Sequence, residues 1–462
     1  MSNLNAPHAV LVPGRIGAVH LHTPELERLE RTLAEYCLER LASPAPLDHP
    51  LTPAQLHELA GQTVTPTGLG TEAAAELWRD VLGPACLSVD HPRYLSFIPS
   101  APTKASAGFD MLVGASSVYG GSWLEGSGAV YAENQALRWI ADLAGLPAPA
   151  GGVFVQGGTI GNLSALVAAR EHARSLGRAA RAVVVTGETH SSVKHALTVV
   201  MGADVVEVPG DARGRMTGAA LRAATDGVEG IFAVVGTAGT TNLGVVDDLA
   251  GIAAVATERG WWFHVDGAYG GAGLAAPSVR HLYDGVEQAD SFIVDPHKWL
   301  FAPFDACALI YRDPAQARAA HTQKASYLDP VTVEGEWNPS DFAIQLTRRA
   351  RGLPFWFSLA VHGTSAYRDA VEQTLSVARA GASIIRDAPH LRLLVEPDLT
   401  VLIFERIGWS EADYGAWSAR LLEQQVGFVT PTRHEGKACT RFAIVNPTTT
   451  SADLQLLVDS MA

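Results

Sequence analysis

From about residue 150 the hydrophobic pattern is one of short, unbroken apolar runs set between helical stretches. AVVVT (182 to 186), DVVEVPG (204 to 210), IFAVVG (231 to 236), WWFHVD (261 to 266) and SFIVD (291 to 295) have the length of strands buried on both faces. Segments such as SSVKHALTVVMG and DDLAGIAAVATERG lie between them with helical spacing. The alternation predicts an α/β fold, a mostly parallel sheet with helices on both faces. It also places ligand chemistry beyond the carboxyl ends of the strands.

The flanks read differently. PELERLERTLAEYCLERLAS and TEAAAELWRDVLGP carry apolar residues at helical spacing, joined through the proline-rich PAPLDHPLTP, and predict a helical N-terminal segment over 1–90. After 362 a long helix, YRDAVEQTLSVARAGASIIRDA, is followed by LRLLVEP, LTVLIFER, the helix SEADYGAWSARLLEQQ, CTRFAIV and a last helix. That mixture predicts a small α+β domain over 363–462, leaving 91–362 as the large domain. The glycine-rich run GASSVYGGSWLEGSGAVYAEN (114 to 134) has little secondary-structure signal before its helical end. Such a run lets backbone approach a neighbour closely or serves a purely structural turn.

With 462 residues and 47% apolar content the chain can build substantial cores. Its 34 Lys+Arg against 48 Asp+Glu leave a formal charge of −14 and no basic block, which argues against nucleic acid or an anionic membrane and for a small-molecule partner. The start, MSNLNAPHAVLVPGRIG, lacks the pattern of a secretory or transit peptide, and no run approaches transmembrane length, so a cytoplasmic location is expected. Cys37, Cys86, Cys307 and Cys439 are far apart without CxxC spacing; neither a disulfide framework nor a metal site is expected.

Candidate chemistry gathers where the strands end. GGVFVQGGTIGNLSALVAAREHA (151 to 173) runs through Gly157, Gly158 and Thr159 into a helix whose first amides suit a phosphate, although a structural turn accounts for it equally. It matches neither GK[ST] nor GxGxxG, which disfavours a nucleotide P-loop and a dinucleotide site. His190 in TGETHSSVKHA stands at the mouth of the sheet, with Ser191 and Ser192 open to helix capping. Thr237, Thr240 and Thr241 follow another strand. Asp266 in WWFHVDGAYGGAG ends an apolar strand, where an ionised carboxylate needs a cation or several donors, and Ala268 and the neighbouring glycines leave room beside it. Lys298, in SFIVDPHKWL, follows a further strand; taken alone it could snorkel to water. Jointly these are the parts that hold pyridoxal 5'-phosphate, whose phosphate, pyridinium nitrogen and aldehyde each need a different partner.

The same residues resemble a known family, the pyridoxal-phosphate-dependent group II amino-acid decarboxylases, nearest the aromatic-L-amino-acid decarboxylase branch. The likeness runs through HPRYLSFIPS (91 to 100), GGVFVQGGTIGNLSAL, ETHSSVKHA, GTAGTTNLGVVDD, WWFHVDGAYGG, DPHKWLFAPFDACALI, RRARGLPFWFSLAVHG (348 to 363) and CTRFAIVNPTTT (439 to 450). It implies an aminotransferase-like type I fold with a seven-stranded sheet, and a homodimer with active sites at the subunit interface. It implies that Lys298 forms the Schiff base, that Asp266 pairs with the ring nitrogen, and that His190 and Ala268 take the two ring faces. Gly158, Thr159, Thr241 and His297 would surround the phosphate. Ser100 would help hold the substrate carboxylate, with Phe97 and Ile98 as pocket wall. The implied reaction is decarboxylation of an amino acid, aromatic by this resemblance, to an amine.

Two departures bear on the product and the substrate. Relatives carry a tyrosine on a loop that reaches the partner's active site; in SYLDPVTVEGEWNPSDFAIQLTRR (326 to 349) Phe342 falls there, with Tyr327 nearby as an alternative. A phenyl ring cannot donate a proton. The resemblance then implies an aldehyde-forming alternative in which Phe342 steers the reaction. A pocket aromatic of the family also gives way near Gly121, with Tyr119 close by, which predicts a reshaped side-chain pocket.

Overall fold

The computed structural model describes residues 18–323 and 336–462. The chain divides into two compact units, Met1–Leu87 and Ser88–Ala462. In the first, helices span Pro24–Ala42, Pro53–Ala60 and Thr71–Leu77. Thr23 caps one of them by accepting from the Leu26 amide, and Thr52 and Gln55 form a reciprocal capping box on the next. None of these helical residues is fully buried.

The second unit is built on strands β1 (Gly151–Val155), β2 (Ala182–Thr186), β3 (Asp204–Val208), β4 (Ile231–Thr237), β5 (Trp262–Asp266), β6 (Ser291–Val294) and β7 (Cys307–Tyr311). They form one seven-stranded sheet in the order β1-β7-β6-β5-β4-β2-β3. Pairing is parallel from β3 through β6, while β7 runs antiparallel to both of its neighbours, β6 and β1. Every residue of β2, β4, β5, β6 and β7 is buried, which is why these segments read as continuous apolar runs instead of alternating ones. Separate apolar clusters form, one around Phe154, Phe263 and Phe292 and another around Leu166, Val235 and Ile293. Within β1, Gly152 permits the close pairing with β7: a Cβ there would lie 1.8 Å from the Leu309 carbonyl oxygen.

A four-stranded antiparallel sheet closes the chain, with β8 (Leu391–Leu393), β9 (Val401–Arg406), β10 (Pro431–His434) and β11 (Lys437–Ala443) in the order β10-β11-β9-β8. Its own core includes Phe404, Trp417 and Phe442. The helix Leu353–Asp387 connects the two sheets and is broken at Gly363, whose φ of 76° is a left-handed backbone that suits glycine. The boundary expected between 362 and 363 therefore coincides with a kink, not a linker.

An ion pair fastens the segment leading into that helix. Arg348 donates to both oxygens of Glu133 at 2.8 Å, and the two side chains are 0% and 3% exposed. Glu133 also accepts from the Gly352 amide at 2.7 Å, and Arg348 donates to the Gly120 carbonyl. Removing one member leaves an uncompensated charge in the core. Arg348→Met is expected to cost about 3–5 kcal/mol of stability, read as a lowered midpoint in thermal or denaturant unfolding.

Candidate active site

The loops at the carboxyl ends of β1, β2, β4, β5 and β6 converge on one cleft of about 210 Å³. Its wall includes Gly158, Thr159, His190, Thr241, Asp266, Ala268, His297 and Lys298. All eight residues expected to hold a cofactor are thus brought together, although they come from positions as distant as 158 and 298.

Each arrives through local structure. After β1 the chain turns at Gly157 into the helix Gly158–Ser175, which has no side-chain cap on its first amides. After β2, Thr189 braces the turn through the Thr186 amide, and His190 caps the next helical turn with its own ring. The His190 Nδ1 accepts from the Ser192 amide at 3.3 Å, so the ring carries its hydrogen on Nε2. After β4, Gly239 at φ 105° packs against Gly270, where a Cβ would come within 2.7 Å of the Gly270 Cα. That contact brings the threonine loop beside the loop that follows Asp266.

Asp266 is 4% exposed and met by donors on both oxygens. The Asn162 amide donates to Oδ2 at 2.9 Å and the Ala268 backbone to Oδ1 at 3.0 Å. Behind Asn162 the bonds continue to His264 (2.7 Å), to Ser291 (2.7 Å) and to the indole of Trp262 (2.8 Å). An indole N–H only donates, and Asn162 presents its NH₂ to the carboxylate, so the whole chain has one polarity. Trp262 donates to Ser291, Ser291 to His264 Nδ1, His264 Nε2 to the Asn162 oxygen, and Asn162 to Asp266. That order requires a neutral His264, and burial does lower its pKa, to about 4.

Lys298 lies on the single turn Pro296–Trp299, its Nζ 2.8 Å from Asp295 Oδ2. Burial disfavours its charge, but the Asp295 carboxylate outweighs this and raises its pKa above the ordinary lysine value. Asp295 itself is 1% exposed; burial works against its charge, yet Lys298 and then His297 hold its pKa below the usual carboxylate range. Its Oδ2 also accepts from the Gly158 amide at 3.3 Å. Burial keeps the His297 imidazole below its usual value.

Five further residues are the ones expected to bind substrate. None of Phe97, Ile98, Ser100, Tyr119 and Gly121 belongs to the cleft wall. Phe97 is 59% exposed, with its carbonyl accepting from Arg441 at 3.0 Å. Ile98 packs against the main core. Ser100 is buried and donates to the Ala302 carbonyl at 3.0 Å, which engages its hydroxyl hydrogen in bracing the loop. Tyr119 bridges to Arg349, and its ring fills the space beside Gly121, where a Cβ would lie 2.4 Å from the phenol oxygen.

Phe342 lies apart from the cleft wall. Its ring is 1% exposed in the core, stacked on Trp337 at a centroid distance of 4.3 Å with the Arg318 guanidinium over it at 5.4 Å. The expected role of Phe342 therefore concerns a ring that packs within its own chain and does not line the cleft. Tyr327 lies outside the described residues.

Asn162, Asp295 and Tyr269 also line the cleft and were not singled out from the sequence. Asn162 sits one helical turn beyond Gly158, a polar residue on a helix face that is otherwise buried. Asp295 stands inside the DPHK stretch that drew attention to Lys298. Those placements were the available signals.

The wall suits pyridoxal 5'-phosphate. It offers an uncapped helix end for a phosphate, a donor-bound carboxylate for a ring nitrogen, and an amine for an aldehyde. Two buried polar atoms of the wall, Thr237 Oγ1 and Asp295 Oδ1, have no hydrogen-bond partner among the described residues and call for a polar occupant.

Comparison with known proteins agrees. Residues 53–407 match the pyridoxal-dependent decarboxylase conserved domain, and the chain belongs to that family. It is 28% identical over 381 residues to an aromatic-L-amino-acid decarboxylase of Bacillus atrophaeus, covering 79% of each chain. It is 30% identical over 408 residues to an L-2,4-diaminobutyrate decarboxylase of Rhizobium meliloti, covering 85% of this chain and 82% of that one. Among solved structures, that of Oryza sativa TDC with PLP and tryptamine superposes with a TM-score of 0.86 at 22% identity, over 96% of this chain and 98% of that one. The fold is the type I α/β fold, and the protein is a pyridoxal-phosphate-dependent amino-acid decarboxylase.

Two tests follow from this geometry. Phe342→Ala is expected to lower stability by about 3–5 kcal/mol, as for other buried aromatic truncations, and Phe342→Tyr to leave the product partition unchanged; unfolding curves and product analysis check both. His264, with a pKa depressed from 6.5 to about 4, binds a proton more readily unfolded than folded. Its contribution is complete above pH 6.5 and is lost as the pH falls toward 4, about 3 kcal/mol in all. His264→Gln is expected to flatten the stability–pH curve across that window.

Proposed function

We propose that the chain converts an aromatic L-amino acid to the corresponding amine and CO2, acting as a homodimer. The observation that carries the reading is the convergence of an amine, a carboxylate, an imidazole and an uncapped helix end on one cleft from separate strand ends. In this reading Lys298 carries the cofactor, Asp266 faces its ring nitrogen, and His190 and Ala268 take opposite ring faces. Gly158, Thr159, Thr241 and His297 surround the phosphate. Bound cofactor supplies an electron sink for the pair left when the α-carboxylate departs as CO2.

The chain's own residues make that sink effective. Asp266, with donors on both oxygens, would favour a proton on the nitrogen it faces. The uncapped, positive end of the Gly158–Ser175 helix would hold the phosphate. His190 presents an N–H from a ring tied to Ser192, which would keep it oriented over the bound cofactor.

An aromatic substrate is supported by the named activity of the Bacillus atrophaeus relative and by the sequence blocks shared with that branch. The Rhizobium meliloti relative supplies the competitor, a short cationic side chain. Leu33, Leu38 and Leu59 on the N-terminal helices, 43%, 61% and 58% exposed, support a further contact with a second copy.

Purified holoenzyme is to be assayed with L-phenylalanine, L-tyrosine, L-tryptophan, L-2,4-diaminobutyrate and L-glutamate, measuring CO2, amine, ammonia, peroxide and aldehyde together. Equal CO2 and amine are expected, with kcat/KM for the best aromatic at least about tenfold above diaminobutyrate, and loss of activity in Lys298→Ala. The opposite preference refutes the aromatic assignment, and aldehyde with peroxide refutes the amine product.

A further inference from the structure

The sequence DPHK places an aspartate three residues before the lysine on one helical turn, and the structure uses that spacing. Asp295 is the residue before the turn Pro296–Trp299, yet its carboxylate makes no capping bond to that turn. It points instead at the Lys298 Nζ, 2.8 Å from Oδ2, and at the Gly158 amide. A carboxylate 1% exposed carries a desolvation cost that the turn itself gives no reason to bear. The lysine does: its side chain is 24% exposed toward the cleft, and Asp295 is the partner that keeps its amine charged there.

We propose that Asp295 is the resting partner of Lys298, receiving its nitrogen as an ammonium whenever that nitrogen is not attached to cofactor, and so setting where the amine waits and how readily it captures the cofactor. The inference rests on the reading of Lys298 as the cofactor-carrying amine. The same pairing is open to the nitrogen whenever a substrate amine takes its place on the cofactor. The released nitrogen then meets a carboxylate that keeps it protonated, without a lone pair, at the helix end and not free to attack. Asp295 is a positioning residue in this account, since it acts through Lys298.

The surroundings support the pair. His297 Nε2 is 3.7 Å from the same Asp295 oxygen, and burial holds that imidazole's pKa below its ordinary value. Asp266 from the end of β5 adds negative charge that also favours the ammonium, and Cys307 from β7 presents a thiol that burial keeps protonated. The Gly158 amide, from the helix after β1, supplies a neutral donor. Of the basic groups beside the carboxylate Lys298 is the nearer, at 2.8 Å against 3.7 Å for the His297 ring nitrogen.

The test is the rate of cofactor capture by the full-length protein freed of cofactor. Protein is mixed with excess pyridoxal 5'-phosphate between about pH 6.5 and 9, and attachment at Lys298 is fixed with borohydride at timed intervals and quantified by peptide mass. Only the neutral amine attacks, so the wild-type rate is expected to rise about tenfold per pH unit with no plateau in that range. Asp295→Asn is expected to capture at least about tenfold faster at pH 7.5 and to plateau at least about one unit lower, while Asp295→Glu keeps the wild-type profile. A wild-type plateau below about pH 9, an Asn profile that superposes on wild type, or a Glu profile that matches Asn overturns the inference. The first of these needs no variant, so it stands even if Asp295→Asn does not fold. Attachment at a lysine other than Lys298 is a separate outcome: it overturns the assignment of Lys298 and this inference with it.

Discussion

A carboxylate at the end of a fully buried strand must be met by donors or lose its charge. Asp266 is met on both oxygens, and much of the sheet is arranged around how that is done. One donor comes from its own loop, the amide of Ala268. The other, Asn162, comes from the first turns of the helix after β1, and an asparagine amide can face either way. Its orientation is imposed from behind by His264, Ser291 and Trp262, which belong to β5 and β6. The strand that presents the carboxylate thereby also supplies the groups that orient its donor. Helix, strand and neighbouring strand are held in one register by a line of bonds of a single polarity.

Further out, the cleft depends on ties between elements that are distant in sequence. Tyr269, on the loop after Asp266, stacks on Trp299 and bonds through its hydroxyl to Thr400, the residue before β9. Arg213 pairs with Asp398 at 2.6 Å beside the same corner. Arg441 of β11 holds the Phe97 carbonyl, and Glu133 and Arg348 secure the segment between Gly120 and Gly352. These contacts explain why a C-terminal sheet with its own apolar core remains within one compact unit with the large sheet. They are polar anchors at single points, joined by a helix that breaks at Gly363.

The fold was legible where burial is most complete. β2, β4, β5 and β6 announce themselves as unbroken apolar runs because both faces are covered, and their carboxyl ends led directly to His190, Thr241, Asp266 and Lys298. β7 has the same composition, but nothing in composition tells that it runs antiparallel between β1 and β6. β10, Pro431–His434, is short, polar and half exposed, so it offered no pattern to read. The burial of Phe342 was not legible for a related reason. Its neighbourhood is rich in polar and turn residues and reads as loop, whereas the ring is anchored by Trp337 and Arg318, contacts that spacing does not reveal. Asn162 and Asp295 were passed over because a polar residue's partner, not its type, gives it meaning, and both partners lie more than a hundred residues away or on the far side of a turn.

The cleft holds two buried carboxylates, and their different partners assign them different chemistry. Asp266 is surrounded by neutral donors, so its charge is stabilised yet not cancelled and remains available to a cation placed beside it. Asp295 lies against an ammonium, so its charge is already matched within the protein. In the proposed reading a pyridinium nitrogen uses the first arrangement, and a lysine that alternates between attached and free uses the second. Had the two environments been exchanged, a cation next to Asp266 would have competed with the ring, and a lysine facing only neutral donors would have had no charged partner to return to. The separation of the two carboxylates onto adjacent strands, one ending in Asp266 and the next leading into Asp295, keeps these demands from interfering.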